Sequence, residues 1–284
     1  MNILVLGVSG MLGSAMYRVL SADSSLKVYG TARSEGVRQR FTVDLSSRIF
    51  TDVNAEDLGS LIDTFANARP DVVINCVGLV KQLKDASNPL LAVPINTLLP
   101  HHLAALCKAI GARLVQISTD CVFSGSKGNY TETDFADADD LYGRTKLLGE
   151  VHQPHAITLR TSIIGHELSG HRSLVGWFLA QQKAVKGFTK ATFSGLPTVE
   201  LAHVVRDFVL KAPSLHGVYH VAGQPINKYE LLKLIGDVYQ KDVEIIADES
   251  LVIDRSLNAQ RFNQSTGYQA PDWLSLVQRM HAFQ

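Results

Sequence analysis

Three residues in this chain have the types and spacing to move a proton onto a carbonyl oxygen: Thr119, Tyr142 and Lys146. Thr119 lies in Ser118-Thr119-Asp120, directly after the apolar run Leu114–Ile117, which places a hydroxyl at the end of an expected strand. Tyr142 and Lys146 stand at i and i+4, so a helix presents both on one face. There an ammonium can lower the pKa of a phenol and favour proton exchange with a substrate oxygen. The same spacing recurs at Tyr229 and Lys233, but no hydroxyl-bearing strand end precedes that pair, and it reads as structural.

A second constellation is Gly7-Val-Ser-Gly10-Met-Leu-Gly13, between the run Asn2–Leu6 and an expected helix Met11–Leu20. In that context Gly7 allows a tight turn, Gly10 lets backbone approach a pyrophosphate, and Gly13 admits close helix–strand contact. The helix start adds free N–H groups. The next strand ends Val28-Tyr-Gly-Thr-Ala-Arg33, without the acidic residue that would bind the ribose 2′-hydroxyl of NAD. Arg33 can pair with a 2′-phosphate instead, so NADPH is the expected cofactor, with Asp44 further along near the adenine.

Other candidates fail on spacing. His166-Glu-Leu-Ser-Gly-His171 has one residue too many for a zinc-binding HExxH helix, and the adjacent His101 and His102 point to different parts of a helix surface. Cys76, Cys107 and Cys121 form neither a disulfide framework nor a ligand set, so no metal is expected. No GxSxG elbow suggests a hydrolase.

These residues need an α/β scaffold, and the hydropathy pattern supplies one. Runs at Asn2–Leu6, Leu26–Tyr29, Phe41–Val43, Val72–Cys76, Leu114–Ile117 and Ile157–Leu159 alternate with helical stretches at Ala55–Ala68, Leu98–Ile110 and Leu141–His152. That alternation predicts βαβ units in a doubly wound parallel sheet of Rossmann type. After Ile164 glycines interrupt the pattern, and Gly217–Val221 reads as a strand returning to the sheet. The expected division is a cofactor domain over 1–164 with a returning strand near 217–222, and a smaller discontinuous substrate lobe over 165–216 and 223–284. Within that lobe Lys228–Tyr239 and Trp273–Phe283 read as helices.

With 284 residues, 27 Lys+Arg against 27 Asp+Glu and 46% hydrophobic residues, the chain can bury a sizeable core. It offers no long-range field to attract a nucleic acid or an acidic membrane. No basic segment precedes the first apolar run, and no apolar run reads as a membrane span, so a cytoplasmic location without membrane or nucleic-acid partners is expected. A homodimer is the oligomer considered.

The motifs GVSGMLG, DVVINCVG (71–78), the Asn96 helix, ISTDCVFSG (117–125), YTETD (130–134), YGRTKLLGE (142–150), LRTSIIG (159–165), SLNAQRF and PDW together resemble the extended short-chain dehydrogenase/reductases, in particular the dTDP-4-dehydrorhamnose reductase (RmlD-like) branch. The resemblance spans nearly the whole chain. It implies that Thr119 binds the substrate carbonyl oxygen, Tyr142 donates a proton, and Lys146 holds the nicotinamide ribose while tuning Tyr142. It further implies cofactor contacts from Gly7, Gly10, Met11, Leu12, Gly13, Arg33, Asp44, Leu45, Cys76, Val77 and Gly78. On the substrate side it implies Lys81, Asn96, Asp120 and Arg160; Arg255, on charge and position, is a candidate diphosphate contact, with a solvated or structural arginine the alternative.

The implied substrates are nucleoside-diphosphate-linked 4-keto-6-deoxy sugars used for surface polysaccharides. Where rhamnose-type enzymes carry Thr-x-Val-Asp, this chain reads Gly78-Leu-Val-Lys81-Gln-Leu-Lys84, similar to the subgroup acting on UDP-linked 2-acetamido-2,6-dideoxy sugars. Cys121 stands where related dehydratases carry Glu, which disfavours water elimination. A nucleotide-sugar epimerase and a non-catalytic NADP-binding regulatory subunit remain the alternatives.

Overall fold

The computed structural model describes residues 1–79 and 87–284. Lys81 and Lys84 lie outside the described residues.

The chain begins with β1 (Asn2–Leu6) and α1 (Met11–Ser21), followed by β2 (Lys27–Thr31), a short α2 (Val43–Ser46), β3 (Ile49–Phe50) and α3 (Leu58–Ala68). β4 (Val72–Asn75) leads through α4 (Pro89–Ala92), a widened π-helical turn over Val93–Leu98, and α5 (Leu99–Ile110) to β5 (Arg113–Thr119). Next come α6 (Leu141–Leu148), β6 (Ala156–Thr161), β7 (Ile163–Ile164), α7 (Leu174–Leu179), β8 (Val185–Phe188), β9 (Ala191–Phe193), β10 (Leu196–Pro197) and α8 (Thr198–Val204). β11 (Gly217–His220), β12 (Ile226–Asn227), α9 (Lys228–Tyr239), β13 (Ile245–Asp248), β14 (Ile253–Asp254), α10 (Gln260–Thr266) and α11 (Trp273–Ala282) complete it.

Seven strands form one sheet in the order β11-β6-β5-β4-β1-β2-β3, every pairing parallel. The sequence order reverses between β1 and β4, and in open parallel sheets ligands bind outside the carboxyl ends of the strands at such a switch point. The central strands carry apolar residues on both faces because helices cover both: Val72, Val73, Ile74 and Asn75 are all buried. β11 joins beside β6, with Gly217 opposite Ile157 and His220 opposite Arg160.

Two expectations need correction. No strand forms at Phe41–Val43: Phe41 turns back edge-on to Tyr17, Val43 is exposed and opens α2, and the third strand is the two-residue β3. The helix expected to run to His152 stops at Leu148 with Gly149 as its C-cap, at a point where a Cβ would meet the Asn96 carbonyl, and Glu150 beyond it forms an ion pair with Arg160. Within the stretch 165–216, α8 packs on α1. Val199, Leu201, Ala202 and Val205 share one buried cluster with Ile3, Val5 and Met16 of the sheet domain.

The stretch Pro89–Ile110 is helical, long enough and apolar enough to cross a membrane by length and composition. In the fold α5 lays Leu99, Leu103, Ala104 and Cys107 against Leu4, Val73 and Leu114 of the sheet, as a core helix does.

Candidate active site

The glycine-rich turn is built as its spacing requires. Gly7 has φ of 82°, and a Cβ at Gly13 would run into the Gly7 carbonyl oxygen, so α1 can sit directly on the strand end only with glycine there. The Gly10 N–H donates to the Gly7 carbonyl (3.0 Å), and the Ser14 N–H donates to the Gly10 carbonyl (2.9 Å), which starts the helix. The first N–H groups of a helix have no partner within it, so this turn is fit to receive an anion.

Beside it, a cavity of about 210 Å³ opens at the carboxyl ends of β1, β2 and β4, lined by Gly7, Gly10, Arg33, Asn54, Val77 and Gly78 among others. Cys76 also lines it, and burial pushes its thiol up to about 12, so it is a neutral wall rather than a nucleophile. Exposed Arg33 stands at the mouth. These glycines and this cation fit a phosphorylated dinucleotide.

Asp44 and Leu45 do not reach this cavity. Asp44 is exposed on α2, and the Leu45 carbonyl accepts a hydrogen bond from Tyr17 (2.7 Å). The side chain of Leu45 instead lines a separate hollow with that of Met11. The true β3 ends at Phe50, so Val53 and Asn54 occupy the wall expected of Asp44 and Leu45. Leu12 is packed into the core behind the turn.

Thr119 ends β5, and Tyr142 and Lys146 lie on α6 beside it. The helix starts there because Asp140 caps it, accepting from the Gly143 N–H at 2.7 Å. A Cβ at Gly143 would strike the Cys121 carbonyl, so glycine lets α6 approach the end of β5. The Tyr142 hydroxyl lies near the Thr119 hydroxyl, which pulls its pKa down. Lys146 is 8% exposed and donates to the Ile117 carbonyl at 2.7 Å.

The expected acidification of Tyr142 is reversed. Burial, with Cys121, Asp120 and Asp140 nearby, pushes the phenol well above its ordinary value, against the opposing pull of Thr119. Burial lowers Lys146 to about 8, against opposing pulls from Glu150 and Cys76. The resting site therefore holds a firmly protonated phenol.

Of the expected substrate contacts, Asn96 and Arg160 are built into the scaffold. Asn96 is 1% exposed; its Oδ1 accepts from the Leu79 N–H (2.9 Å) and its Nδ2 donates to the Thr145 hydroxyl (3.3 Å), tying the β4 loop to α6. Arg160 is held inside the sheet by a two-pronged pair with Glu150, at 2.8 and 2.7 Å. Ser118 donates to the same carboxylate at 2.7 Å. Asp120 is 6% exposed and accepts from Thr119 at 3.1 Å. Arg255 donates through Nε to the Phe123 carbonyl (2.8 Å), which aims its charge at Asp120.

One residue was missed. Lys228, the first of α9, is brought to Asp120, Cys121 and Arg255, and burial lowers its pKa. Only the tertiary fold joins it to Asp120 and Cys121, each more than a hundred positions away. Among the described residues, no cluster of three or more His, Cys, Asp or Glu could hold a metal ion.

A family model for the RmlD substrate binding domain matches residues 1–281. The dTDP-4-dehydrorhamnose reductase of Aggregatibacter actinomycetemcomitans is 25% identical over 307 aligned positions, covering 99% of each chain. Methionine adenosyltransferase 2 subunit beta of Rattus norvegicus is 28% identical over 259 residues, covering 84% of this chain and 72% of that protein. The solved dTDP-4-dehydrorhamnose reductase of Bacillus anthracis str. Ames, in complex with NADP, superposes with a TM-score of 0.81 at 20% identity, covering 99% of both chains, a likeness of fold. By a match that runs almost from end to end, the chain belongs to the RmlD substrate-binding-domain family.

Proposed function

We propose that this protein is an NADPH-dependent nucleotide-sugar 4-ketoreductase. The observation that carries the reading is the meeting of Thr119, protonated Tyr142 and buried Lys146 at the strand ends beside the glycine-rich cavity. The relatives named dTDP-4-dehydrorhamnose reductase support the reaction type. Lys146, its ammonium held against β5, faces the Gly78 backbone: a Cβ there would come within 4.0 Å of Nζ. Gly7, Gly10 and the start of α1 would hold the pyrophosphate, and Arg33 the 2′-phosphate. The reduced nicotinamide supplies the hydride. Thr119 and Tyr142 bind the carbonyl oxygen, and Tyr142 gives its proton to that oxygen as it becomes an alkoxide.

The substrate favoured is a UDP-linked 2-acetamido-2,6-dideoxy-hexos-4-ulose, on the Gly78–Lys84 sequence, with dTDP-4-dehydrorhamnose as the competing one. Such a product serves surface polysaccharide assembly, in the cytoplasm, and a homodimer is the working unit to test. Cofactor is assigned to 1–164 with the returning strand, and the sugar nucleotide to the cleft facing Lys228 and Arg255. The test is NADPH oxidation on adding each keto-sugar. Oxidation by the wild type that Tyr142→Phe abolishes supports the reading, and full turnover in that variant overturns it. A second reading, an NADP-binding regulatory subunit, draws on the relatives named methionine adenosyltransferase 2 subunit beta. NADPH binding without turnover on any keto-sugar would favour it.

A further inference from the structure

Lys228 brings to the site a charge that no protein group answers. It is half-buried, and among the described residues its ammonium makes neither a hydrogen bond nor an ion pair. An ammonium held this way loses water without gaining an acceptor, a cost that an acceptor on a ligand removes.

The small sheet of the substrate side sets its position. β9 pairs with β12 on one flank and with β14 on the other, and Thr192 is in register with Asn227 and Asp254 at once. Lys228 and Arg255 are the residues that follow, leaving two outer strands whose axes lie about 10 Å apart. The Asn227 side chain caps α9, accepting from the Glu230 N–H at 2.8 Å, and so fixes where Lys228 departs. Arg255 is anchored by Nε on the Phe123 carbonyl (2.8 Å), with its stem over Gly125, where a Cβ would come within 3.0 Å of Cγ. Phe123 closes the turn that opens at Asp120, its N–H donating to the Asp120 carbonyl at 3.0 Å. Both cations are thus gathered at the turn that follows Thr119.

Lys228 and Arg255 are close enough to act on each other, and both act on Asp120. Two cations that repel one another are best joined by an anion with more than one charge, and a sugar nucleotide carries a diphosphate. That group is bonded to C1 of the sugar, across the ring from C4. Lys228 acts on Asp120 and Cys121, next to Thr119, whereas Arg255 is anchored further along, at Phe123. Lys228 is therefore the cation nearer the sugar.

We propose that Lys228 is a specificity-determining residue that binds the phosphate bonded to C1 of the sugar, with Arg255 on the nucleoside-side phosphate. This rests on the reductase reading above, in which Thr119 and Tyr142 hold the 4-keto oxygen. Because C1 and C4 stand opposite each other in a pyranose ring, fixing the C1 phosphate fixes which ring carbon meets the nicotinamide.

The test is calorimetric titration of the NADPH complex with UDP, UMP, dTDP and dTMP, for wild type, Lys228→Met and Lys228→Arg. The monophosphates lack the phosphate assigned to Lys228. For the nucleoside that wild type binds more tightly, Lys228→Met should weaken the diphosphate by about 10- to 100-fold and leave the monophosphate within about twofold. Lys228→Arg should recover most of the loss, with NADPH affinity the same in all three proteins. Equal losses for diphosphate and monophosphate, as a general field or a structural role would give, overturn the proposal, as does no loss for either. If Lys228→Met does not fold, Lys228→Gln takes its place with the same expectation. If the wild type oxidises no NADPH with any keto-sugar, the reductase reading fails, and the difference between diphosphate and monophosphate still decides where Lys228 binds. A wild type that binds neither diphosphate overturns the proposal itself.

Discussion

At the scale of residues, the phenol of Tyr142 explains a direction of chemistry. A proton donor for an alkoxide must be protonated at rest, and burial with acidic neighbours ensures that. Tyr142→Phe is expected to lower kcat by about 10²–10⁴-fold with NADPH affinity nearly unchanged, read by turnover and by cofactor titration. Removing Arg33 should weaken NADPH binding by about tenfold or more and leave NADH binding unchanged, because a charge-assisted contact to a 2′-phosphate contributes about 1.5–3 kcal/mol. Asp120 adds a stability signature. Its folded pKa is raised, so the native state holds a proton that the unfolded chain gives up near the ordinary value of 3.8. Stability therefore falls as pH rises from that value toward the folded pKa. The advantage of Asp120→Asn over wild type in denaturant midpoint should widen above about pH 4.

At the scale of elements, β5, β6 and α6 form a frame whose polar interior is fully engaged. Glu150 at the end of α6 binds Arg160 of β6 and Ser118 of β5, and Arg160 reaches His220 of β11 at 3.4 Å. Truncating Glu150 to Ala should destabilise the fold by about 3–5 kcal/mol, since it strands a buried guanidinium. Chemical denaturation of folded variant checks this. His220, whose imidazole burial and Arg160 hold down to about 3, must remain neutral to fold. Its contribution is whole above the ordinary 6.5 and is lost as pH falls from there toward the folded value.

What could be read from sequence divides along the same lines. The β1–glycine turn–α1 unit and the Tyr142–Lys146 face are local patterns, visible in a few adjacent residues. The third strand was misplaced because an edge strand of two residues, Ile49 and Phe50, offers no periodicity, while Phe41–Val43 imitates one; Asp44 and Leu45 were carried off with it. Arg160 looked available because Glu150, its partner, is paired only by the sheet. Lys228 escaped because its neighbours are assembled by tertiary contact alone.

At the scale of the whole molecule, a single apolar cluster joins the sheet to the substrate side: Ile3 and Met16 belong with Phe178, Phe193, Trp273 and Leu276. The expected lobes therefore should not unfold separately. Fluorescence of Trp177 and Trp273 and far-ultraviolet circular dichroism should report one coincident transition, and two separated transitions would contradict a shared core. NADPH at a hundred times its Kd should stabilise that unit by about 2.7 kcal/mol.

The central claim is that hydride passes to carbon 4 of a sugar nucleotide while Tyr142 protonates its oxygen. The most direct measurement uses NADPH carrying deuterium on the transferred position of C4 of the nicotinamide, with the UDP- and dTDP-linked 4-keto-6-deoxy sugars offered in turn. The account predicts one deuterium at C4 of the product for each cofactor oxidised, with conversion by Tyr142→Phe slowed about 10²–10⁴-fold. Conversion of the sugar without deuterium gain or net cofactor loss, or no conversion of either sugar, would contradict it.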